Sequence, residues 1–266
     1  MFAIGGDLPV RRLGFGAMRL GRSDHDVPRR AVELGVQLID TARFYGEGAN
    51  EELIAEALHP YPDDLVVATK VGIRHGGAEG WEATGRPEQL RQQVQDGLRR
   101  LRVDRLDLLQ LHRLDPEVAL AEQVSALAAM RDEGLIRHIG LSEVSVDQLD
   151  QALEIAPVAS VQNRYSLFDR SHEAVLERCA AGGIAFLPWR PVANARELPE
   201  VAAVAGELGA TTTQIALAWL LAHSPVVLPI PGTTSVPHLE ENLGAGDMTL
   251  SPEQYARLTN AETGPG

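Results

Sequence analysis

Lysine and arginine together number 24 in this 266-residue chain, yet Lys70 is the only lysine. A background that replaces lysine wherever arginine serves leaves one where a compact ammonium with a tunable pKa is needed. The competing reading is chance survival on the surface, and the apolar run before it, Leu65-Val66-Val67-Ala68-Thr69, argues against that. Asp40 closes an earlier apolar run, and Tyr45 follows in Asp40-Thr41-Ala42-Arg43-Phe44-Tyr45-Gly46. His112 closes a third run. Together these four residue types suit one reaction. Hydride addition to a carbonyl leaves an alkoxide that needs a proton. A tyrosine of pKa ~10 is a poor donor near neutrality, and a cation within ~4–6 Å lowers that pKa. Lys70 would be the cation, Asp40 its anchor, Tyr45 the acid and His112 the group that orients the carbonyl. The alternatives are an Asp40–Lys70 ion pair that only holds structure and a histidine satisfied by its neighbours.

Such a site needs elements that bring distant residues to one place. Eight short, continuously apolar runs occur at residues 13–15, 36–39, 65–69, 107–111, 136–141, 159–161, 184–187 and 226–228. Continuous apolarity is what strands buried on both faces require. Helical patterns lie between them, the longest at 86–102 and 116–133. Leu90, Val94, Leu98 and Leu101 recur at helical spacing, as do Leu120, Val124, Leu127 and Met130. Ser145 with Gln148, Thr211 with Gln214, and Ser251 with Gln254 each fit a capping box. Asp115-Pro116 reads as an N-cap with proline in the first turn, and Gly134, Gly182 and Gly209 as helix stops. Strand and helix alternating eight times predict an α/β fold with parallel strands, a (β/α)8 TIM barrel spanning 1–266 as a single domain. An N-terminal β-hairpin, Phe2-Ala3-Ile4 and Leu8-Pro9-Val10 around Gly5-Gly6-Asp7, would plug the barrel floor. An extra C-terminal helix from 252 to about 261 would pack outside.

In this fold, chemistry sits at the C-terminal ends of the strands. The residues that end runs two to seven are Asp40, Lys70, His112, Ser142, Gln162 and Trp189, and the eighth ends in Pro229-Ile230-Pro231-Gly232. A carboxylate, an ammonium and an imidazole at one rim are hard to explain by solubility.

Other chemistries find little support. Gly14-Phe15-Gly16 lacks the third glycine of a dinucleotide fingerprint, and no nucleophile-elbow, zinc-protease or Walker sequence is present. The histidines are scattered, so no metal site is expected. Cys179 is the one cysteine, which excludes an internal disulfide and reads as a buried apolar residue. A net charge of −13 disfavours nucleic acid and anionic membrane as partners. Neither a secretory signal nor a bilayer-length apolar run is visible, so a cytoplasmic protein is expected.

The motifs resemble those of the aldo-keto reductase family over nearly the whole chain. They are Arg12-Leu13-Gly14-Phe15-Gly16-Ala17-Met18, Ile39-Asp40-Thr41-Ala42 through Tyr45-Gly46, Ala68-Thr69-Lys70, and Leu106-Asp107-Leu108-Leu109-Gln110-Leu111-His112. Ile139-Gly140-Leu141-Ser142, Val161-Gln162-Asn163, Ile230-Pro231-Gly232-Thr233 and Leu239-Glu240-Glu241-Asn242 complete the set. The branch most similar is that of bacterial pyridoxal-reductase-like members. The resemblance implies reduction of an aldehyde or ketone, with Asp40, Tyr45, Lys70 and His112 as catalytic residues and Tyr45 as general acid. It implies NADP(H) as cofactor, with NAD(H) as the alternative. Ser142 and Gln162 would bind the carboxamide and Trp189 would stack on the ring. Gly232, Thr233, Thr234, Ser235 and His238 would hold the adenosine phosphate, and Glu241 and Asn242 would meet the adenine.

Three departures stand out. Glu143 replaces the asparagine many relatives carry after the serine, removing an amide donor. Gly232 and His238 stand where many relatives place lysine and arginine near the 2′-phosphate. The stretch from Arg19 to Val36 is short for the family. Two other functions remain compatible with the sequence: a nucleotide-sensing binding module with weak turnover, and a biosynthetic enzyme of another reaction on the same scaffold. Phe44, Arg43, Trp81, Arg113 and Arg190 could border a small-molecule pocket, with Arg43 or Arg113 receiving an anionic group or simply solvated. Trp81 beside the glycine-rich Gly76-Gly77-Ala78-Glu79-Gly80 could form a lid or pack at the rim.

Overall fold

The computed structural model describes residues 1–78, 80–195 and 198–261. Phe2–Ile4 (β1) and Leu8–Val10 (β2) pair antiparallel, as their alternation around Gly5 and Gly6 predicts. Phe15–Gly16 (β3), Asp26–Glu33 (α1), Leu38–Asp40 (β4), Ala49–Leu58 (α2) and Val66–Val71 (β5) follow. A second hairpin, Ile73–His75 (β6) with Trp81–Ala83 (β7), precedes Pro87–Leu101 (α3). Alternation then continues through Leu106–Leu111 (β8), Leu120–Asp132 (α4), Ile136–Ser142 (β9), Val146–Leu153 (α5), Val158–Gln162 (β10), Glu173–Gly182 (α6) and Ala185–Phe186 (β11). Helices Pro199–Leu208 (α7), Thr212–His223 (α8), Val236–Gly244 (α9) and Pro252–Asn260 (α10) finish the chain.

Strands β3, β4, β5, β8, β9, β10 and β11 form one parallel sheet in that order. The eighth run closes it. Phe186 donates to the Val226 carbonyl and Leu228 donates to the Phe186 carbonyl, both at 2.8 Å. On the other side Gly14 donates to the Pro229 carbonyl at 2.9 Å and Gly16 to the Pro231 carbonyl at 3.2 Å. Pro229 and Pro231 have no N–H, so this eighth segment makes a sparser ladder than its neighbours. The curled sheet is the expected (β/α)8 architecture.

Period-two alternation sorts the strand side chains between two cores. Leu38, Val66, Ala68, Leu108 and Leu187 point into the barrel and pack with Ile4, Leu8 and Val10 of the hairpin, which plugs the floor. Ile39, Val67, Leu109, Ile139 and Val161 point out against the helices, meeting Leu53, Leu90, Val94, Val124 and Leu127. Both faces are apolar, which explains the unbroken runs. The inward parity continued to each strand's C-terminal end selects Asp40, Lys70, His112 and Trp189.

All three capping boxes are present, at Ser145, Thr211 and Ser251. Two local expectations change. The helix expected from Pro116 starts at Leu120: Asp115 does take the Glu117 amide, but only a turn follows, and the Gln123 side chain donates to the Asp115 and Val118 carbonyls. Helix α6 runs through Gly182 and stops at Gly183, whose φ of 64° supplies the left-handed cap. The glycine-rich segment after β6 lies in a hairpin that presents Trp81, and its Glu79 lies outside the described residues.

Closure brings bare backbone together at Gly16 and Gly232. A Cβ on Gly16 would lie 2.6 Å from the Ile230 carbonyl oxygen, and one on Gly232 2.7 Å from the Gly16 carbonyl oxygen. Gly16→Ala must therefore push β3 away from the eighth segment, at a cost of ~1–3 kcal/mol. Its melting temperature by calorimetry should fall by several degrees, and an unchanged value would mean the seam tolerates a side chain.

Candidate active site

Lys70 is 1% exposed at the end of β5. Its Nζ donates to Asp40 Oδ2 at 2.6 Å, to the Thr41 carbonyl at 2.8 Å and to Tyr45 Oη at 3.3 Å. Three acceptors satisfy three ammonium protons. Asp40 is adjacent because β4 and β5 pair in parallel register, Asp40 opposite Ala68. Its second oxygen, Oδ1, accepts from Gln162 Nε2 at 2.8 Å. Tyr45 opens a 3-10 turn, Tyr45–Gly48, in which Gly46 and Gly48 hold φ of 61° and 98°. That turn sets the ring over the barrel mouth, edge-on to His112 with centroids 6.1 Å apart.

Burial works against the Lys70 ammonium, but Asp40 and Tyr45 outweigh it and lift its pKa above the ordinary value. Tyr45 differs from expectation. Burial raises its pKa above the usual tyrosine value, and Lys70 offsets only part of that rise. His112 lies well below the usual histidine value, first through burial and then through the charges of Lys70 and Arg113. It therefore stays neutral near pH 7. Its Nδ1 is buried with no partner among the described residues. A buried N–H without an acceptor is costly, which favours the tautomer with the proton on Nε2.

A cavity of about 430 Å³ opens over these residues. Asp40, Tyr45, His112, Ser142, Gln162, Trp189 and Gly232 all line it. Gln162 spends its amide N–H groups on Asp40 and Gln110, and its carbonyl oxygen has no donor among the described residues. Ser142 Oγ accepts from Arg113 at 3.2 Å, leaving its own proton to give. Glu143, at φ 55°, accepts Trp189 Nε1 at 2.6 Å and the Arg164 amide at 2.7 Å. The departure at Glu143 thus anchors the indole. An acceptor, a donor and a pinned aromatic face fit a nicotinamide carboxamide and ring.

The remaining expected residues lie further along the eighth unit, outside the lining of this cavity. Thr233 is buried and accepts the Ser235 amide at 3.1 Å. Ser235 caps α9, its hydroxyl accepting from the His238 amide. Thr234 and His238 are exposed beside it, and Asn242 is buried on the same helix. Glu241 accepts from Thr211 Oγ1 at 2.8 Å, tying α9 to the start of α8. Arg30 reaches this helix but is held by Glu240 at 2.7 Å and by Glu33 at 3.1 Å.

Sequence reasoning missed the supports behind the rim. Asn50 accepts from Thr41 Oγ1 at 2.6 Å and donates to the Ala17 carbonyl at 2.9 Å, locking the backbone beside Asp40. Glu51 takes Thr69 Oγ1 at 2.5 Å and Arg100 Nε at 2.7 Å. Both sit in α2, where Ala-Asn-Glu-Glu-Leu reads as an ordinary exposed first turn. Met18, Arg19 and the 191–194 segment also line the cavity without a prior signal. Of the two arginines considered for an anion, Arg113 lines it, while Arg43 donates to the Ile73 carbonyl at 3.4 Å.

The sequence model described as "Aldo/keto reductase family" matches residues 12–263. The chain belongs to the aldo/keto reductase family. It is 48% identical over 267 residues to an uncharacterized oxidoreductase of Schizosaccharomyces pombe, covering 95% of this chain and 87% of that one. It is 40% identical over 272 residues to the pyridoxine 4-dehydrogenase of Escherichia coli, covering 95% of each. Among family structures, an aldo-keto reductase from Klebsiella pneumoniae in complex with NADPH superposes with a TM-score of 0.84 at 28% identity, covering 97% of this chain and 93% of that one. Among the described residues no helix is long and apolar enough to cross a membrane, and no cluster of metal-binding side chains occurs.

Two predictions arise here. Lys70→Met strands the Asp40 carboxylate in a buried setting and should cost ~3–5 kcal/mol in chemical denaturation, much of it regained when Asp40→Asn is added. No recovery in the double variant would mean the pair is not what the rim rests on. For His112, the unfolded chain binds a proton below pH ~6.5 while the folded site resists it. Its stabilising contribution is full above that pH and declines as pH falls through the window toward its depressed folded value. Histidine NMR should show its ring neutral, with the proton on Nε2, at pH 6; an ordinary titration near 6.5 would contradict the burial.

Proposed function

We propose that this family member reduces a small aldehyde or ketone to its alcohol, with NADP(H) as carrier. The observation that carries the reading is the Lys70 ammonium shared between Asp40 and Tyr45, beside neutral His112, at the floor of one cavity. The dinucleotide, when bound, supplies the hydride. Ser142 and Gln162 would hold its carboxamide, Trp189 its ring face, and Gly232, Thr233, Thr234, Ser235 and His238 its adenosine phosphate, with Glu241 and Asn242 toward the adenine. The NADPH complex of the Klebsiella structure supports that choice of carrier.

Tyr45 is the general acid, giving its hydroxyl proton to the carbonyl oxygen as charge develops there. Lys70 stabilises the tyrosinate left behind, and Asp40 keeps Lys70 charged and aimed. This is where the raised pKa of Tyr45 matters: the phenol is fully protonated before reaction and depends on Lys70 during it. His112, with Nε2–H, donates a hydrogen bond to the same oxygen and fixes the face presented. The name of the Escherichia coli relative favours pyridoxal among the first carbonyls to test.

The test is NADPH oxidation, followed by absorbance, against a carbonyl panel that includes pyridoxal, with NADH in parallel. We expect turnover with NADPH preferred, and a loss of ~10²–10⁴ in kcat for Tyr45→Phe with NADPH binding retained in a fluorescence titration. NADPH binding without turnover of any carbonyl, or full activity in Tyr45→Phe, would overturn the assignment.

A further inference from the structure

The cavity that hosts the proposed chemistry has a charge the protein as a whole does not. The chain carries a net charge of −13, yet Arg19, Arg113 and Arg190 line the cavity against Asp40 as the one acid among its described lining residues. Asp40 is already neutralised by Lys70.

Arg113 sits closest to the reacting groups, directly after His112. It bears on both His112 and Tyr45 electrostatically. Burial lowers its own pKa somewhat, with Glu143 and Tyr45 acting the other way. Among the described residues its hydrogen bonds are two, and both come from one nitrogen: Nη1 donates to the His112 carbonyl at 2.6 Å and to Ser142 Oγ at 3.2 Å. Among the described residues it has no carboxylate within ion-pair distance. The nearby Glu143 gives one oxygen to Trp189 and the Arg164 amide. A partly buried guanidinium held only by neutral oxygens is electrostatically under-compensated. Its Nε–Nη2 edge makes no hydrogen bond to the described residues, and that edge presents two parallel N–H donors, the fork that matches a carboxylate. The guanidinium carbon lies 5.8 Å from the centroid of the Trp81 ring.

We propose that Arg113 is a specificity-determining residue that selects carbonyl substrates carrying a carboxylate, paired side-on with its Nε–Nη2 edge. The proposal rests on the reading of the cavity as a carbonyl-reduction site. The body of such a substrate would span from His112 and Tyr45 past the apolar walls of Phe44 and Trp81, both on the cavity lining. Its size is bounded by about 430 Å³, which the nicotinamide must share.

The experiment compares 4-carboxybenzaldehyde with its methyl ester, a matched pair differing in the charge. Both are assayed with NADPH on the unmodified protein, Arg113→Met and Arg113→Lys. Benzoate is titrated into each protein by calorimetry. A charge-assisted pair predicts at least about a tenfold preference in kcat/KM for the carboxylate, expressed mainly in KM. That preference falls to about one in Arg113→Met, and Arg113→Lys, which keeps the charge but loses the fork, recovers only part of it. Benzoate binding should weaken in the same order. A purely positioning role, in which Arg113 braces His112 and Ser142, predicts that both aldehydes lose turnover equally and benzoate binding does not change, and this overturns the proposal. A preference for the ester in the unmodified protein overturns it too. If neither aldehyde turns over while benzoate binding still depends on Arg113, the carbonyl-reduction reading fails and the carboxylate site stands. Benzoate binding that is absent or indifferent to Arg113 in that situation sinks both.

Discussion

The buried pair of Asp40 and Lys70 is the constraint around which the mouth of this barrel is arranged. Two charges removed from water are stable there only if every lone pair and proton is matched. The barrel meets that demand with few groups. Lys70 finds a carboxylate, a backbone carbonyl and a phenol, and Asp40 finds an ammonium and an amide. The three partners of Lys70 all lie at or just beyond the end of β4, Gln162 ends β10, and parallel register makes them neighbours. Remove the register and the charges have nowhere to go. The same requirement explains the polar supports outside the rim. Asn50 and Glu51 hold the strand ends from the helix side, through the residues next to Asp40 and Lys70.

Electrostatics then separates the roles of three ionisable groups within one small space. Lys70 keeps its proton, Tyr45 is held protonated by burial, and His112 is kept from gaining one by burial and by two cations. Divergent environments for adjacent titratable groups are a mark of sites built for proton transfer. Arg113 belongs to the same field. It helps hold His112 neutral while leaving one edge of its own guanidinium without a partner in the described structure.

Much of this is legible in the sequence itself. Unbroken apolar runs bounded by polar residues located strands buried on both faces, and counting inward parity from Leu38, Val66 and Leu108 leads to Asp40, Lys70 and His112. The lone lysine was informative because arginine fills the other cationic positions. What escaped were features that no local pattern encodes. Asn50 and Glu51 look like a solvated helix turn until the neighbouring strand is packed against them. Asp115 does accept the Glu117 amide as a cap would, but its other oxygen serves Gly85 and the helix itself begins only at Leu120. The Tyr45 shift went the other way from the pairwise argument because burial, a property of the whole fold, outweighed a single neighbouring charge. Glu143 was legible as a departure, but its bond to Trp189, 46 positions away, follows only from how the strand ends are assembled.

Lys70 has a side chain with no exposure to solvent, and it is the chain's one lysine. Free aldehydes condense with unprotonated primary amines to give imines, and a guanidinium, protonated at any physiological pH, is a poor partner for that reaction. The outer surface of this protein therefore offers an aldehyde no lysine amine to condense with, and the one such group inside is charged and fully engaged. The route to imine adducts through lysine is thereby closed on the surface of this chain.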